Sequence, residues 1–189
     1  MSRCLTVLFA LALAPTLVVA ADEASTTAAE PTTSPLLAHS RSVFDGVSTI
    51  LTLSAEMMPE ASYDFRPSED VRSFGEILAH VVDAQYAFCT IARGEEDPER
   101  ERPDPGSKES VQATLAEAFA YCGTAYDGLT EASAEEMVTF QGGPTPRLGV
   151  LNVNQIHNIE HYGNLVTYLR MNDIVPPTSD PEVMKRLMD

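Results

Sequence analysis

The sequence predicts an all-α fold, a four-helix bundle, on three observations. Apolar residues recur at spacings of three and four along four stretches of roughly 20 residues, the mark of helices with one buried face. Segments rich in proline, glycine and charge separate these stretches, as loops do. No glycine-flanked run of alternating apolar and polar residues appears, and no internal repeat, so sheet and solenoid architectures find no support. Amphipathic helices joined by loops bury their apolar faces against one another as a bundle.

The first helix is expected over Leu36–Met58, with Leu37, Val43, Phe44, Val47, Ile50, Leu51, Leu53 and Met57 on its apolar face and Pro59 ending it. Glu60–Arg72 reads as an ordered connection whose Tyr63 and Phe65 dip into the core. The second helix spans Ser73–Arg93. Ser73 with Glu76 three residues later is a capping box, and Phe74, Ile77, Leu78, Val81, Val82, Tyr86 and Ile91 follow on one side. Glu95–Gly106, charged and with prolines at 98, 103 and 105, is a surface loop. The third helix is expected over Lys108–Leu129, with Val111, Leu115, Phe119, Cys122 and Tyr126 as its stripe. Ala132–Thr139 reads as a short helical turn, and Gln141–Pro146 cannot continue a helix. The fourth helix, Leu148–Met171, ends at Asn172 ahead of Pro176 and Pro177.

The ends read differently. Arg3, the apolar run Leu5–Ala14 and the small residues around Ala20 and Ala21 predict a signal peptide over 1–21, hence an exported protein, periplasmic or secreted, without a stable membrane anchor. A flexible linker is expected over 22–35, the bundle domain over 36–178 and a C-terminal tail over 179–189. Signal removal leaves Cys89 and Cys122. An oxidising compartment permits a disulfide stapling two helices, and the alternative is a pair of small buried side chains. With 28 acidic against 12 basic residues the formal net charge is −16, which excludes nucleic acid as an electrostatic partner and leaves a small molecule as the expected one.

The chemistry-bearing stretch is the segment from Asn154 to Asn164. His157 and His161, four residues apart, lie one above the other on a helix, where both imidazoles can reach one ion. His80 lies amid the apolar set of the second helix, with Glu76 about one turn before it and Asp83 about one turn after. Three neutral imidazoles with an open position are how a catalytic divalent metal is held, so His80, His157 and His161 are the candidate ligands. Asn154, His157, His161 and Asn164 form a polar stripe that needs partners if buried. Glu76 and Asp83 are candidates for orienting a ligand histidine or acting as a base. The pattern is not His-Glu-x-x-His, so zinc-protease chemistry has no support. His39 reads as a surface residue.

The contexts SFGEILAHVVDAQYAF and HNIEHYGNLVTYLRMNDIVPP, in that order, resemble the DinB/YfiT-like family of bundle proteins, over Leu36 to Pro177. The resemblance implies a four-helix bundle, a metal triad that by position is His80, His157 and His161, zinc or nickel as the ion, and a homodimer. It also implies thiol-dependent transfer or isomerisation in which the metal lowers the pKa of a small thiol. The family often carries a second histidine directly after the last ligand and a glutamine two places further on; here these positions are Tyr162 and Asn164. The functional expectation is an exported metal-dependent enzyme of thiol-transferase or hydrolase type. Its alternatives are a non-catalytic metal-binding or stress-associated module, and an interaction protein without metal.

Overall fold

The computed structural model describes residues 34–188, so the expected signal peptide and nearly all of the linker lie outside the described residues. Four long helices form: α1 (Pro35–Met57), α2 (Phe74–Arg93), α3 (Lys108–Asp127) and, after a short helix α4 (Glu131–Glu135) and a two-stranded hairpin, α5 (Arg147–Met171). A terminal helix α6 (Pro181–Met188) occupies most of the segment expected as a tail. Each long helix packs on two others, in the ring α1–α3–α2–α5, so α1 and α2 face one another across the core. Leu51, Leu78, Leu115, Leu151, Leu165 and Leu169 fill its centre, each almost wholly withdrawn from solvent. Among the described residues no helix is long and apolar enough to cross a membrane.

Local chemistry sets the helix ends. The capping box is present: Ser73 Oγ accepts from Glu76 N–H, and Glu76 Oε2 accepts from Ser73 N–H at 2.7 Å. Gly94, at φ +70°, closes α2 in the left-handed conformation that glycine adopts without strain. Lys108 Nζ donates to the carbonyls of Glu56 and Met58 at 2.7 and 2.8 Å, placing a cation on the negative end of α1. Gly75 is required by crowding, since a Cβ there would run into the carbonyl of Pro105. The 95–106 loop therefore lies directly on the start of α2.

One expectation is corrected. Instead of a helical turn over Ala132–Thr139, α4 stops at Glu135, and β1 (Met137–Phe140) pairs antiparallel with β2 (Gly143–Pro146). The connecting Gln141 and Gly142 both have positive φ, 49° and 81°, as a two-residue hairpin turn matched to strand twist demands. Pro144 and Pro146 are tolerated because both strands of a two-stranded ribbon are edges. Phe140 packs on Phe88 of α2, and Phe88 packs on His157 at 5.5 Å between ring centres, so the hairpin backs the histidines.

Cys89 and Cys122 are joined by a disulfide between α2 and α3, with Cα atoms 5.2 Å apart. Closing a 33-residue separation removes chain entropy from the unfolded state worth about 4 kcal/mol. Reduction is expected to lower unfolding stability by about that amount. Urea unfolding with and without dithiothreitol measures it, and coincident midpoints would contradict the staple.

Candidate metal centre

The centre forms where the middle of α5 meets α2. The buried face of α5 runs Leu151, Asn154, Asn158, His161, Leu165, Tyr168, so three polar residues interrupt an apolar stripe. From α2 comes Gln85, also fully buried. Gln85 Nε2 donates to Asn158 Oδ1 at 2.6 Å, and Gln85 Oε1 accepts from Asn154 Nδ2 at 3.0 Å. Asn154 Nδ2 also lies 3.2 Å from Cys122 Sγ, so one continuous set of polar contacts links the disulfide to the centre of α5. Such side chains are costly to bury unpaired, and the amides meet most of that demand between themselves.

The histidines sit one turn nearer the surface. Nε2 of His157 lies 3.1 Å from Nε2 of His80 and 3.1 Å from Nε2 of His161, and one ring nitrogen from each of the three falls within 4.8 Å of the others. His161 is buried, and His80 and His157 are partly so. The donor set fits a divalent ion. Two nitrogens bonded to a common ion at 2.0–2.1 Å, with angles of 90–109° between the bonds, lie about 2.8–3.4 Å apart. Chemistry points the same way, because three neutral imidazoles hold one N–H each and cannot satisfy three lone pairs turned on one point. Asn164 lies 3.4 Å from His161 Nδ1 and can accept its proton when the amide turns its oxygen inward, which leaves Nε2 free to bind. His157 Nδ1 is buried without a hydrogen bond of good geometry.

Electrostatics keep the rings neutral. Burial pushes His80 down, with the charge of Arg72 adding to it and those of Asp83 and Glu160 opposing it. Burial and then His80 lower His157. His161 is lowered to about 4, by burial first and then by His157, His80 and Arg72. Neutral imidazole is the ligand form.

Beside the cluster opens a cleft of about 620 Å³ whose wall includes His161, Asn164, Thr167 and Tyr168 from α5, Ile77 from α2, and Asp70 and Arg72 from the connection before α2. Tyr168 Oη donates to the carbonyl of Arg72 at 2.6 Å and pins that connection to α5. Tyr162 faces elsewhere: its hydroxyl contacts Thr178 Oγ1 at 2.8 Å. The two carboxylates read as candidate bases stand outside the histidine cluster. Glu76 is held by the Ser73 N–H and by Arg66 at 3.3 Å, and the cap holds its carboxyl below the usual range. Asp83 pairs with Arg100 at 3.0 Å and with Arg102, bracing the 95–106 loop. His39 is exposed on α1. Gln85, Asn158 and Arg72 were not singled out from the sequence. Asn158 carried a readable signal, one turn after Asn154 on the same face, and Gln85 is a polar residue in register with Leu78, Val81 and Cys89.

The comparisons with known proteins agree with this architecture. Residues 45–165 match the family described as the DinB superfamily. A DinB-like protein from Bacillus cereus has a similar fold, with a TM-score of 0.66 and 15% identity, covering 78% of this chain and 98% of that one. A DinB-like protein from Bacillus subtilis scores 0.61 at 20% identity, covering 71% and 92%. The mycothiol-dependent maleylpyruvate isomerase scores 0.56 at 16% identity, covering 80% of this chain and 67% of that one. No curated protein matches with significance.

The lowered histidines set a pH dependence for the metal-free protein. Unfolded histidines titrate near 6.5 and the folded ones lower, so between these values the unfolded state binds more protons and stability falls as the pH falls. Unfolding by urea at pH 7 and pH 5 should show this loss, and His161→Gln should flatten it. An equal slope in the variant would remove His161 from the cause.

Proposed function

The chain belongs to the DinB superfamily, and from that premise we propose that it is a divalent-metal-dependent enzyme of thiol-transferase or hydrolase type, acting on a small molecule. The observation that carries the reading is the convergence of His80, His157 and His161 at the edge of an open cleft. Among the described residues no fourth histidine, cysteine or carboxylate joins the cluster. A structural zinc is closed by four protein ligands, whereas a catalytic one keeps a position for water or substrate. The same observation weighs against the non-catalytic alternative.

In this reading His80, His157 and His161 hold the ion, and zinc or nickel suits an all-imidazole set. A bound divalent ion would supply Lewis acidity, lowering the pKa of a thiol or water brought beside it. The protein's own part is positional. Asn164, with its amide oxygen turned to Nδ1, fixes the His161 tautomer, Phe88 buttresses the His157 ring, and the Gln85–Asn154–Asn158 amides hold α5 in register with α2. Glu76 serves as a helix cap, and Asp83 as an anchor for the 95–106 loop. Thiol transfer draws support from the similar fold of an isomerase described as mycothiol-dependent. Hydrolysis suits the export proposed for this chain, where small intracellular thiols are scarce. A homodimer also belongs to this proposal, as a family expectation.

Elemental mass spectrometry tests it on protein purified without a histidine tag, beside His157→Ala. The expected result is about one zinc or nickel per chain in the wild type and none in the variant. With zinc at 1,000 times its dissociation constant the wild type should gain about 4 kcal/mol of stability. A wild type that takes up neither ion would end the enzyme reading.

A further inference from the structure

The cleft beside the histidines carries a charge that no described residue pairs. Arg41, Arg66, Arg93, Arg100, Arg102 and Arg147 each pair with a carboxylate, and Arg170 donates to Ser179. Arg72 alone among the arginines with described side chains makes neither an ion pair nor a side-chain hydrogen bond to another described residue. Its natural partner, Glu76, is already engaged by Arg66 and by the Ser73 N–H. Its backbone is fixed by Tyr168 Oη, and it lines the cleft together with His161. No described carboxylate therefore claims the Arg72 guanidinium, and its donors are unspent among the described residues.

We propose that Arg72 is the substrate-anchoring residue of this cleft, taking the carboxylate of a small acid whose other end reaches the histidine cluster. The proposal rests on reading the cleft as the substrate site, and it names the class of substrate. A guanidinium binds a carboxylate through two parallel charge-assisted hydrogen bonds. A volume of about 620 Å³ suits a small organic molecule. The surroundings make a local cation necessary: a chain of net charge −16 repels anions at long range, so an anionic substrate gains its hold only from a fixed positive group. Asp70, on the same wall and without an ion pair of its own, opposes a second negative group, which favours a monocarboxylate.

The test uses two small thiols of similar size, 3-mercaptopropionate and the neutral 2-mercaptoethanol. Binding to the metal-free and zinc-loaded protein is followed by the backbone amide resonances of the cleft residues, which the variant keeps, and in the wild type also by the Arg72 Nε–H resonance. The carboxylate probe should shift the Arg72 signal saturably in both forms and bind about tenfold more tightly than the neutral one, the scale of a charge-assisted hydrogen bond. Arg72→Gln, an exposed loop substitution that leaves the core untouched, should erase this preference and leave 2-mercaptoethanol unaffected. Equal binding of both probes by the wild type, or an undiminished preference in Arg72→Gln, would overturn the proposal. Zinc uptake is read separately: its failure with the Arg72 effect intact removes only the metal, and the reverse removes only the anchor.

Discussion

Everything at the centre of this protein follows from burying a polar segment of α5 against α2. A four-helix bundle tolerates apolar residues at every inward position. Here Asn154, Asn158 and His161 occupy three consecutive ones, between Leu151 and Leu165. Their hydrogen-bonding groups have left water and must find partners within the bundle. Gln85 takes one group of each asparagine through the two ends of its amide, leaving Asn154 Oδ1 and Asn158 Nδ2 buried without a partner among the described residues. On the side where they converge the histidines have only one another, and three lone pairs facing a common point call for a cation. The same burial that keeps the rings neutral leaves them in the form that can ligate an ion.

The remaining elements arrange access. The Phe140–Phe88–His157 stack closes one side of the cluster, and the 95–106 loop, anchored through Asp83 and lying against Gly75, closes the start of α2. Tyr168 ties the connection before α2 to α5 and leaves the cleft between them. The disulfide fixes α2 to α3 behind the amides, next to Asn154. Rigid support behind and an opening in front is the arrangement that a site for exchangeable ligands needs.

The four long helices were legible because each repeats its apolar residues at helical spacing, and three carry a clear stop signal: Pro59 after α1, Gly94 and the Pro-rich 95–106 loop after α2, and Asn172 after α5. The histidines were legible for the same reason, since a four-residue spacing on a helix is already three-dimensional information. The hairpin was not. Prolines hold two of the four positions of β2, and Gln141 takes a positive φ that its residue type does not announce. The polar stripe predicted from the sequence ends in Asn164, which is exposed on α5, whereas the inward phase runs through Asn158. With polar residues at 154, 155, 157, 158, 160, 161 and 164, the helix offers several stripes, and only packing against Gln85 selects one. Glu76 shows how local and tertiary signals compete: one turn before His80 it shares that residue's face, but it is also the third residue of the helix, and the cap takes it. Arg72 carried no readable signal, because its meaning lies in which partners it lacks.

Zinc-edge X-ray absorption of the zinc-loaded protein tests the central claim most directly, since it identifies the atoms bound to the ion. The account predicts three imidazole nitrogens at about 2.0–2.1 Å with at least one further light atom, and no sulfur. A spectrum with sulfur at about 2.3 Å, or one without the imidazole scattering pattern, would contradict the three-histidine centre.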